Sequence, residues 1–162
     1  MGHRSIRAFE RKLMKPFVDY PLGGYNLIGS VSGSNCRHGY GRDFMLKTGQ
    51  TKCAYCGVDF TSSYETWLTM ALDHVVPTGV CQSLKIDPEW SKDCSNIVLA
   101  CSACNSFLNR YSPPKGISIP HSLPEFYSLR DRVFIERSIL IARKHEDEKA
   151  FFKSEPWKNS IR

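Results

Sequence analysis

An aspartate and a histidine stand side by side near the middle of the chain, where Asp73-His74 leads through two valines to Pro77. A neutral histidine can accept a proton from water near pH 7. A carboxylate and an amide are hard oxygen donors, which can hold a magnesium-like ion and leave coordination positions open for a phosphate. Two asparagines, Asn96 and Asn105, follow nine residues apart. These residue types are the ones that metal-assisted hydrolysis of a phosphodiester needs.

The same region holds two Cys-x-x-Cys pairs with 44 residues between them, formed by Cys53 with Cys56 and by Cys101 with Cys104. Four thiolates complete a tetrahedral zinc site and leave no open position, so we predict a structural zinc ion. Gly57 directly follows the second cysteine, which suits a tight turn that brings both sulfurs to one ion. A redox dithiol is the alternative, but it should open a helix in a thioredoxin-like unit, which Cys53 does not.

Size and composition restrict the class of protein. The chain of 162 residues is long enough for one domain with a hydrophobic core, and its 41% hydrophobic and 23% charged residues are ordinary for a globular protein. No apolar run approaches the roughly 20 residues that cross a bilayer, so we expect no membrane partner. Seven cysteines, two pairs of them with metal-ligand spacing, favour a reduced, cytoplasmic protein. Cys36, Cys81 and Cys94 are expected to be buried or half-buried thiols.

Positive charge is concentrated at the N-terminus. Residues 1–52 carry nine Lys/Arg and three Asp/Glu, a net charge of +6, while residues 53–116 carry four and six, a net of −2. A polyanionic substrate would therefore need phosphate contacts from the N-terminal segment. A solvated basic surface is the alternative interpretation. The candidate phosphate contacts are the basic residues Arg37, Arg42, Lys47, Arg110 and Lys115.

The elements that must position these residues follow from local patterns. A helix is expected over residues 6–15, ended by Pro16, and a short strand over residues 25–31 in a glycine-rich loop. Residues 44–60 are expected to form two short strands around the cysteine turn. Residues 64–73 are rich in apolar side chains and should enter the core.

A surface loop is expected over residues 78–95, because glycine, proline and aspartate punctuate it. A short buried strand is expected over residues 96–100 and a helix over residues 102–111. A long helix with capping-box spacing at its start should run from Ser122 to about Phe152. The pattern predicts that it packs on the core and indicates no chemical role.

Two features of this arrangement bear on the site. Asp73 and His74 point to opposite sides of a strand unless the backbone turns, and Pro77 favours a change of direction nearby. Asn105 follows Cys104 on the predicted helix, so a zinc ion at Cys104 also fixes Asn105. The remaining histidines have no partner pattern; they are His3, His38, His121 and His145.

Together, these motifs resemble the HNH nuclease family, whose members are also called ββα-metal nucleases. The resemblance covers about residues 53–115 and includes Asp-His-Val-Val-Pro, Asn96 and Cys-x-x-Cys-Asn. The HNH domain of RNA-guided DNA nucleases is similar in its Asp-His-x-Val-Pro segment and in the nine-residue spacing of its asparagines. Many members carry a lysine shortly after the last cysteine, where this chain has Phe107 and Leu108. Arg110 and Lys115 are the candidates to replace it.

The resemblance implies a role for each of four residues. His74 would be the general base, and Asp73 and Asn105 would bind one catalytic Mg²⁺ or Mn²⁺ ion. Asn96 would brace the loop that carries the base. The Asn105 position is often histidine in the family, and asparagine favours a metal with oxygen ligands. Cleavage would leave 3′-hydroxyl and 5′-phosphate ends.

The fold class expected is therefore α+β. Residues 1–50 would form a basic extension that contacts DNA. Residues 51–116 would form a ββα-metal HNH core, cross-linked by a zinc ion that four cysteines bind. Residues 117–162 would form a C-terminal helical extension. The function expected is metal-dependent DNA cleavage, and a homodimer is one arrangement that would cut both strands. Two alternatives remain open, a zinc-ribbon module that binds nucleic acid without catalysis and a thiol redox protein.

Overall fold

The structure is a computed structural model that describes residues 15–18, 20, 36–108 and 110–161. In this part of the chain, helices surround one two-stranded antiparallel sheet, which confirms the α+β class. The elements follow in the order α1 (Lys15–Val18), α2 (Tyr40–Thr48), α3 (Tyr64–Leu68), β1 (Met70–His74), α4 (Thr78–Ser83), α5 (Pro88–Lys92), a 3-10 turn (Cys94–Asn96), β2 (Ile97–Cys101), α6 (Ser102–Phe107), α7 (Leu123–Phe152) and α8 (Glu155–Asn159).

The sheet is a short pair of strands, β1 and β2, joined by the connection that contains α4 and α5. In its register Asp73 lies opposite Val98, and His74 lies opposite Ile97. β2 is buried at all five positions, as its apolar and β-branched residues allow, and it confirms the strand predicted at residues 96–100. Because successive side chains leave opposite faces of a strand, Asp73 shares a face with Val98, and His74 shares the other with Ile97.

The long helix α7 covers one face of the sheet. It begins after Ser122, whose side chain accepts a hydrogen bond from the backbone of Glu125, and it runs for 30 residues, as the capping-box spacing predicted. Phe134 packs with Val75 and Val98 in one buried apolar cluster. A second cluster joins the same helix to the segment after β1 and to α4 and α5.

Residues 44–60 are not two strands, so this prediction is wrong. They begin inside helix α2, whose Phe44 and Thr48 are buried one turn apart, and this helical spacing outweighs the short apolar run. Gly49 ends the helix with a φ of 70°, a conformation that glycine adopts without strain. In place of the two predicted strands, residues 44–60 contain one isolated antiparallel β-bridge, between Lys52 and Asp59.

The connection over residues 78–95 is also not a loop. It contains α4, α5 and the 3-10 turn, because the residues that suggested turns cap helices instead. The Asp87 side chain accepts a hydrogen bond from the backbone of Glu89, with Pro88 in the first turn of α5. The Asp93 side chain accepts one from the backbone of Ser95 in the same way.

Two further boundaries differ from the predictions. α6 ends at Phe107 rather than near residue 111, because Leu108 leaves helical geometry. Leu108 packs against the second cluster and against a third, which contains Phe44, Phe60 and Ile97. α1 begins at Lys15 and includes Pro16, so Pro16 lies inside this helix rather than after its end. Phe17 packs edge-on against Tyr20 and Phe134, which holds α1 on the core. The rest of the helix predicted over residues 6–15 and the strand predicted over residues 25–31 lie outside the described residues.

A search of the described helices found none that is both long enough and apolar enough to cross a membrane. The longest, α7, carries charged residues on much of its surface and buries the aromatic and aliphatic residues Phe126, Leu129, Val133, Phe134 and Ile141.

Candidate metal centre and catalytic cleft

The four cysteines of the two Cys-x-x-Cys pairs meet in one cluster. Their sulfur atoms all lie within 4.8 Å of one another, and the Sγ atoms of Cys56 and Cys101 are 3.7 Å apart. A tetrahedral zinc ion with Zn–S bonds of about 2.3 Å separates its sulfurs by about 3.8 Å. The cluster is therefore compatible with a structural zinc ion.

Two local structures bring these sulfurs together. Gly57 has a φ of 79° and donates its backbone N–H to the carbonyl of Cys53 at 2.9 Å, which closes the turn between the first two cysteines. Cys101 ends β2 and caps α6 by accepting the backbone N–H of Cys104. Ala54 donates its backbone N–H to the carbonyl of Leu99 at 2.9 Å, so the turn is tied to β2.

The four clustered thiols differ in their pKa values. Hydrogen bonds within the cluster hold the pKa of Cys101 well below that of an ordinary thiol and lower the pKa of Cys56 to about 7, whereas they raise the pKa values of Cys53 and Cys104 well above it. The thiolate is the form of cysteine that binds metal. Burial raises the pKa of Cys81 to about 11 and that of Cys94 to about 11, so these two thiols stay protonated near pH 7. Cys81 and Cys94 are buried and Cys36 is half-buried, as predicted.

A histidine that the sequence left without a partner lies beside the cluster. His145, on α7, places Nε2 at 3.0 Å from the sulfur of Cys104, and its ring meets the ring of Phe107 edge-on at 5.0 Å. Because 41 residues separate His145 from Cys104, no local pattern indicates this contact. An N–H that donates to a metal-bound sulfur orients the ligand and offsets part of its charge.

His74 is the last residue of β1 and is half-buried. Burial lowers its pKa below the ordinary value of 6.5, and the guanidinium of Arg137 lowers it further, while the carboxylate of Asp73 opposes both effects. The imidazole is therefore neutral near pH 7, which is the form that accepts a proton.

Asp73 is buried, and its carboxylate accepts hydrogen bonds from two residues that the sequence did not single out. Arg137 of α7 donates to Oδ2 at 2.7 Å from Nη1 and to Oδ1 at 3.1 Å from Nη2. The hydroxyl of Tyr55 donates to Oδ2 at 2.6 Å. Burial and the negative charge of Asp73 raise the pKa of Tyr55 well above its ordinary value, so the phenol keeps its proton and remains a donor.

Asn96 holds the segment that follows the histidine. Its Oδ1 accepts the backbone N–H of Val76 at 2.9 Å, and its Nδ2 donates to the carbonyls of Val76 at 3.1 Å and Ser91 at 2.9 Å. The side chain is wholly buried, and the backbone carbonyl of Asn96 accepts the N–H of Val75. These bonds fix the backbone on both sides of the bend after β1.

A cleft of about 150 Å³ brings three of the predicted residues together, since Asp73, His74 and Asn105 all line it. Asn105 reaches it from α6, one residue after Cys104. The other residues that line the cleft are Leu72, Pro77, Thr78, Leu108 and Arg137. Residues of β1, α6 and α7 thus line the cleft, and within β1 the Asp73 and His74 side chains leave opposite faces of the strand.

The five basic residues predicted to contact DNA fall in two places. Arg42 and Lys47 are exposed on α2, while Arg37 donates to the carbonyl of Leu68 at 3.2 Å with its guanidinium over the ring of Trp67. Arg110 and Lys115 line a larger groove of about 640 Å³. Pro77 lines both this groove and the cleft with His74, so the two cavities adjoin.

A signal for Arg137 is present in the sequence. Phe134 and Ile141 lie three residues before it and four residues after it, so Arg137 falls on the buried face of the helix. A charged side chain on a buried face requires a charged or polar partner. The pattern predicts that such a partner exists, but only the fold identifies it as Asp73.

Comparison of the chain with protein-family models, curated proteins and solved structures finds no match. The function proposed below therefore rests on the residues of the cleft and the cysteine cluster.

Proposed function

We propose that this protein is a divalent-metal-dependent endonuclease with an HNH core, which hydrolyses phosphodiester bonds in DNA. One observation carries the proposal: Asp73, His74 and Asn105 line the same cleft, although they come from β1 and from α6. A base, a carboxylate and an amide in residues that line one cleft are the groups that metal-assisted hydrolysis requires.

The donors in the cleft fit a magnesium-like ion. A carboxylate has about four lone-pair sites. Three of those on Asp73 accept hydrogen bonds from Arg137 and Tyr55, which leaves one on Oδ1. Mg²⁺ commonly binds through one or two protein oxygens and keeps several waters. Asp73 and Asn105 would hold the ion, and it would neutralise charge on the phosphate and on the leaving oxygen.

The chain's own residues would carry out the proton transfer. Neutral His74 would accept the proton of the attacking water at an imidazole nitrogen. Asn96 binds the backbone of Val75 and Val76, which would hold in place the segment that directly follows His74. The burial that lowers the pKa of His74 also restricts access of bulk water to the ring.

The proposed zinc ion has a separate, structural role. It would join the turn at Cys53 to the end of β2 and the start of α6, where Cys101 and Cys104 lie. Asn105 directly follows Cys104, so the same ion would fix one wall of the cleft.

The substrate would follow the basic groove beside the cleft. Arg110 and Lys115 line that groove, and Arg42 and Lys47 are exposed on α2. Contacts of these side chains with phosphates would give affinity without reading the base sequence.

Cleavage of plasmid DNA with Mg²⁺ or Mn²⁺ tests the proposal. The wild-type protein should produce nicked or linear plasmid with 3′-hydroxyl and 5′-phosphate ends, and EDTA should stop the reaction. The His74→Ala variant, purified in parallel, controls for contaminating nucleases. Equal cleavage by both proteins, or no cleavage of duplex or single-stranded DNA by the wild type, would reject the assignment.

One observation favours a second candidate, a zinc-containing module that binds nucleic acid without cutting it. The Asp73 carboxylate is paired with the Arg137 guanidinium, so the two charges in the cleft cancel in the absence of a metal. Such a module would bind DNA with a strong salt dependence and show no Mn²⁺ binding that depends on Asp73.

A further inference from the structure

Arg137 is the most deeply buried charged residue in the described part of the chain. Its side chain is 2% exposed, and it lies 64 residues from Asp73 in sequence. Removing an arginine from water costs several kcal/mol unless its partners replace the lost hydrogen bonds. The partners at this site are therefore informative about what Arg137 does.

The guanidinium contacts the whole segment that carries the candidate base. Besides the two oxygens of Asp73, the guanidinium reaches the backbone carbonyls of His74 and Val75, each 2.9 Å from Nη1, so the two N–H groups of Nη1 are shared among three acceptors. One group on α7 thus fixes the carboxylate, the backbone of the histidine and the bend that follows it.

Tyr55 also binds the Asp73 carboxylate, and it does so from the cysteine turn rather than from α7. It lies between Cys53 and Cys56 in the cysteine turn, and its ring stacks on Phe134 of α7 at 5.3 Å. Its hydroxyl donates to Oδ2 of Asp73. The carboxylate is therefore bound both to the C-terminal helix and to the turn of the cysteine cluster.

Stability alone does not account for this arrangement. Replacing a buried ion pair by well-packed apolar residues is often neutral or stabilising. Here the pair lines the cleft that also contains His74 and Asn105. Hydrogen-bonding partners of a metal-binding carboxylate commonly fix its orientation and affect metal affinity strongly.

We infer that Arg137 and Tyr55 are positioning residues of the active centre: they hold the Asp73 carboxylate in one orientation, with a lone pair of Oδ1 left for the divalent cation. This inference rests on the proposed function and extends it, because it makes α7 and the cysteine turn parts of the catalytic centre. Neither residue is expected to touch the substrate. Both act through Asp73.

Binding of Mn²⁺ in the absence of DNA tests the inference directly. The unbound ion is measured by electron paramagnetic resonance in zinc-loaded wild-type protein and in Asp73→Ala, Tyr55→Phe and Arg137→Lys variants. Tyr55→Phe keeps the ring and removes one hydrogen bond, and Arg137→Lys keeps the charge but cannot form the two-pronged contact. Arg132→Lys is the matched control, since Arg132 is on the same helix, 56% exposed and paired with Glu136.

We expect Asp73→Ala to lose the site, and Tyr55→Phe and Arg137→Lys to raise the dissociation constant for Mn²⁺ by about 10- to 100-fold. Arg132→Lys should bind as the wild type does. Thermal unfolding and zinc content identify any variant that fails to fold. If Arg137→Lys does not fold, the Mn²⁺ affinity of Tyr55→Phe alone tests the inference. The inference is overturned if folded Tyr55→Phe and Arg137→Lys bind Mn²⁺ with wild-type affinity. It is also overturned if the wild type binds Mn²⁺ no better than Asp73→Ala does.

Cleavage assays on the same proteins separate this inference from the proposed function. A wild type that binds Mn²⁺ with the expected dependence on Tyr55 and Arg137, but cuts no DNA, supports the positioning role and rejects the nuclease. A wild type that cuts DNA, with Tyr55→Phe and Arg137→Lys unchanged in Mn²⁺ affinity, supports the nuclease and rejects the positioning role.

Discussion

At the scale of single residues, the candidate base is held differently from Asp73, a candidate metal ligand, and from Asn96, which braces the segment after the base. His74 has no side-chain hydrogen bond among the described residues, whereas Asp73 has three and Asn96 has three. A base must exchange protons with a water molecule, so an imidazole without fixed partners is suited to that task. The groups around it supply the rigidity.

The His74→Ala variant should lose cleavage and keep the rest of the structure. Removal of a general base commonly costs about 10²- to 10⁴-fold in rate. Zinc content and DNA affinity should stay near wild type, because His74 contacts neither the cysteine cluster nor the basic groove through a hydrogen bond. The rate is measured by single-turnover plasmid cleavage at saturating Mg²⁺, and activity within about threefold of wild type would contradict the role of His74.

The Asn105→Ala variant should fail for a different reason. It removes a candidate metal ligand, so the affinity for the divalent ion falls while the base remains. Raising the Mg²⁺ or Mn²⁺ concentration should therefore restore part of the rate for Asn105→Ala and none for His74→Ala. A metal titration of cleavage distinguishes the two, and rescue of His74→Ala alone would reverse the assigned roles.

Most residues of the site are predictable from sequence because they are close in sequence and characteristic in type. Asp73 with His74, and Cys104 with Asn105, are adjacent pairs, and the cysteine spacing indicates a metal cluster before any fold is known. Arg137, Tyr55 and His145 are different, since their partners lie 18 to 64 residues away. The packing of α7 on the sheet brings Arg137 and His145 to the site, and the bond of the cysteine turn to β2 brings Tyr55.

At the scale of elements, α7 connects the two candidate centres. Arg137 contacts Asp73, and His145, eight residues later on the same helix, contacts Cys104. Eight helical residues span about 12 Å, so one rigid element passes both centres. The sequence predicted the start and the end of this helix correctly and gave it no chemical role, because its apolar pattern explains its packing without reference to the site.

The contact of His145 should slow the loss of zinc from the cysteine cluster. Removal of a hydrogen-bonding partner of a metal ligand commonly costs about 10- to 100-fold in metal affinity. We expect His145→Ala to release zinc faster to a colorimetric chelator than the wild type does. His121→Ala is the matched control, since His121 is exposed just before the same helix. If His145→Ala releases zinc no faster than the wild type, the contact of His145 with Cys104 does not stabilise the zinc site.

Element boundaries were less predictable where one residue type serves two purposes. Asp87, Pro88 and Asp93 are residues typical of turns, but Asp87 and Asp93 cap helical segments and Pro88 begins α5. Phe44 and Met45 suggested a strand, but burial of Phe44 against Tyr20 favours the helix. Tertiary packing decides such cases, and it is not visible in a short window of sequence.

At the scale of the whole molecule, the distribution of charge and the two candidate metal ions matter most. The net charge of +6 lies mainly before the cleft residues in sequence, and the residues around the cleft are close to neutral. Under the proposed function, affinity for DNA would therefore come from surfaces beside the cleft rather than from the cleft itself.

Two double variants test where DNA binds. Arg42→Ala with Lys47→Ala and Arg110→Ala with Lys115→Ala each remove two exposed charges. Each should weaken DNA binding and reduce the salt slope by up to about one unit per lost phosphate contact. Lys153→Ala with Lys158→Ala removes two exposed charges at the far end of the chain and is the control. A change confined to the control would place the DNA surface on the C-terminal helices.

The two candidate metals should differ in their effect on the whole molecule. Zinc in a four-cysteine site contributes on the order of 10 kcal/mol of apparent binding free energy, which is comparable with the total stability of a small domain. Cys104→Ser should therefore cost folding as well as activity, whereas Cys36→Ser, outside the cluster, should leave both nearly unchanged. Circular dichroism and thermal unfolding measure the difference.

Brief treatment with EDTA completes the comparison, because a magnesium-like ion with few protein ligands exchanges readily and a closed thiolate site does not. The treated protein should stop cutting DNA, remain folded and recover when Mg²⁺ is added. Metal analysis after the treatment should still find about one zinc per chain. A protein that contains no zinc, yet is folded and active, would show that the cysteine cluster does not hold α6 in place. Asn105 would then need another support to reach the cleft.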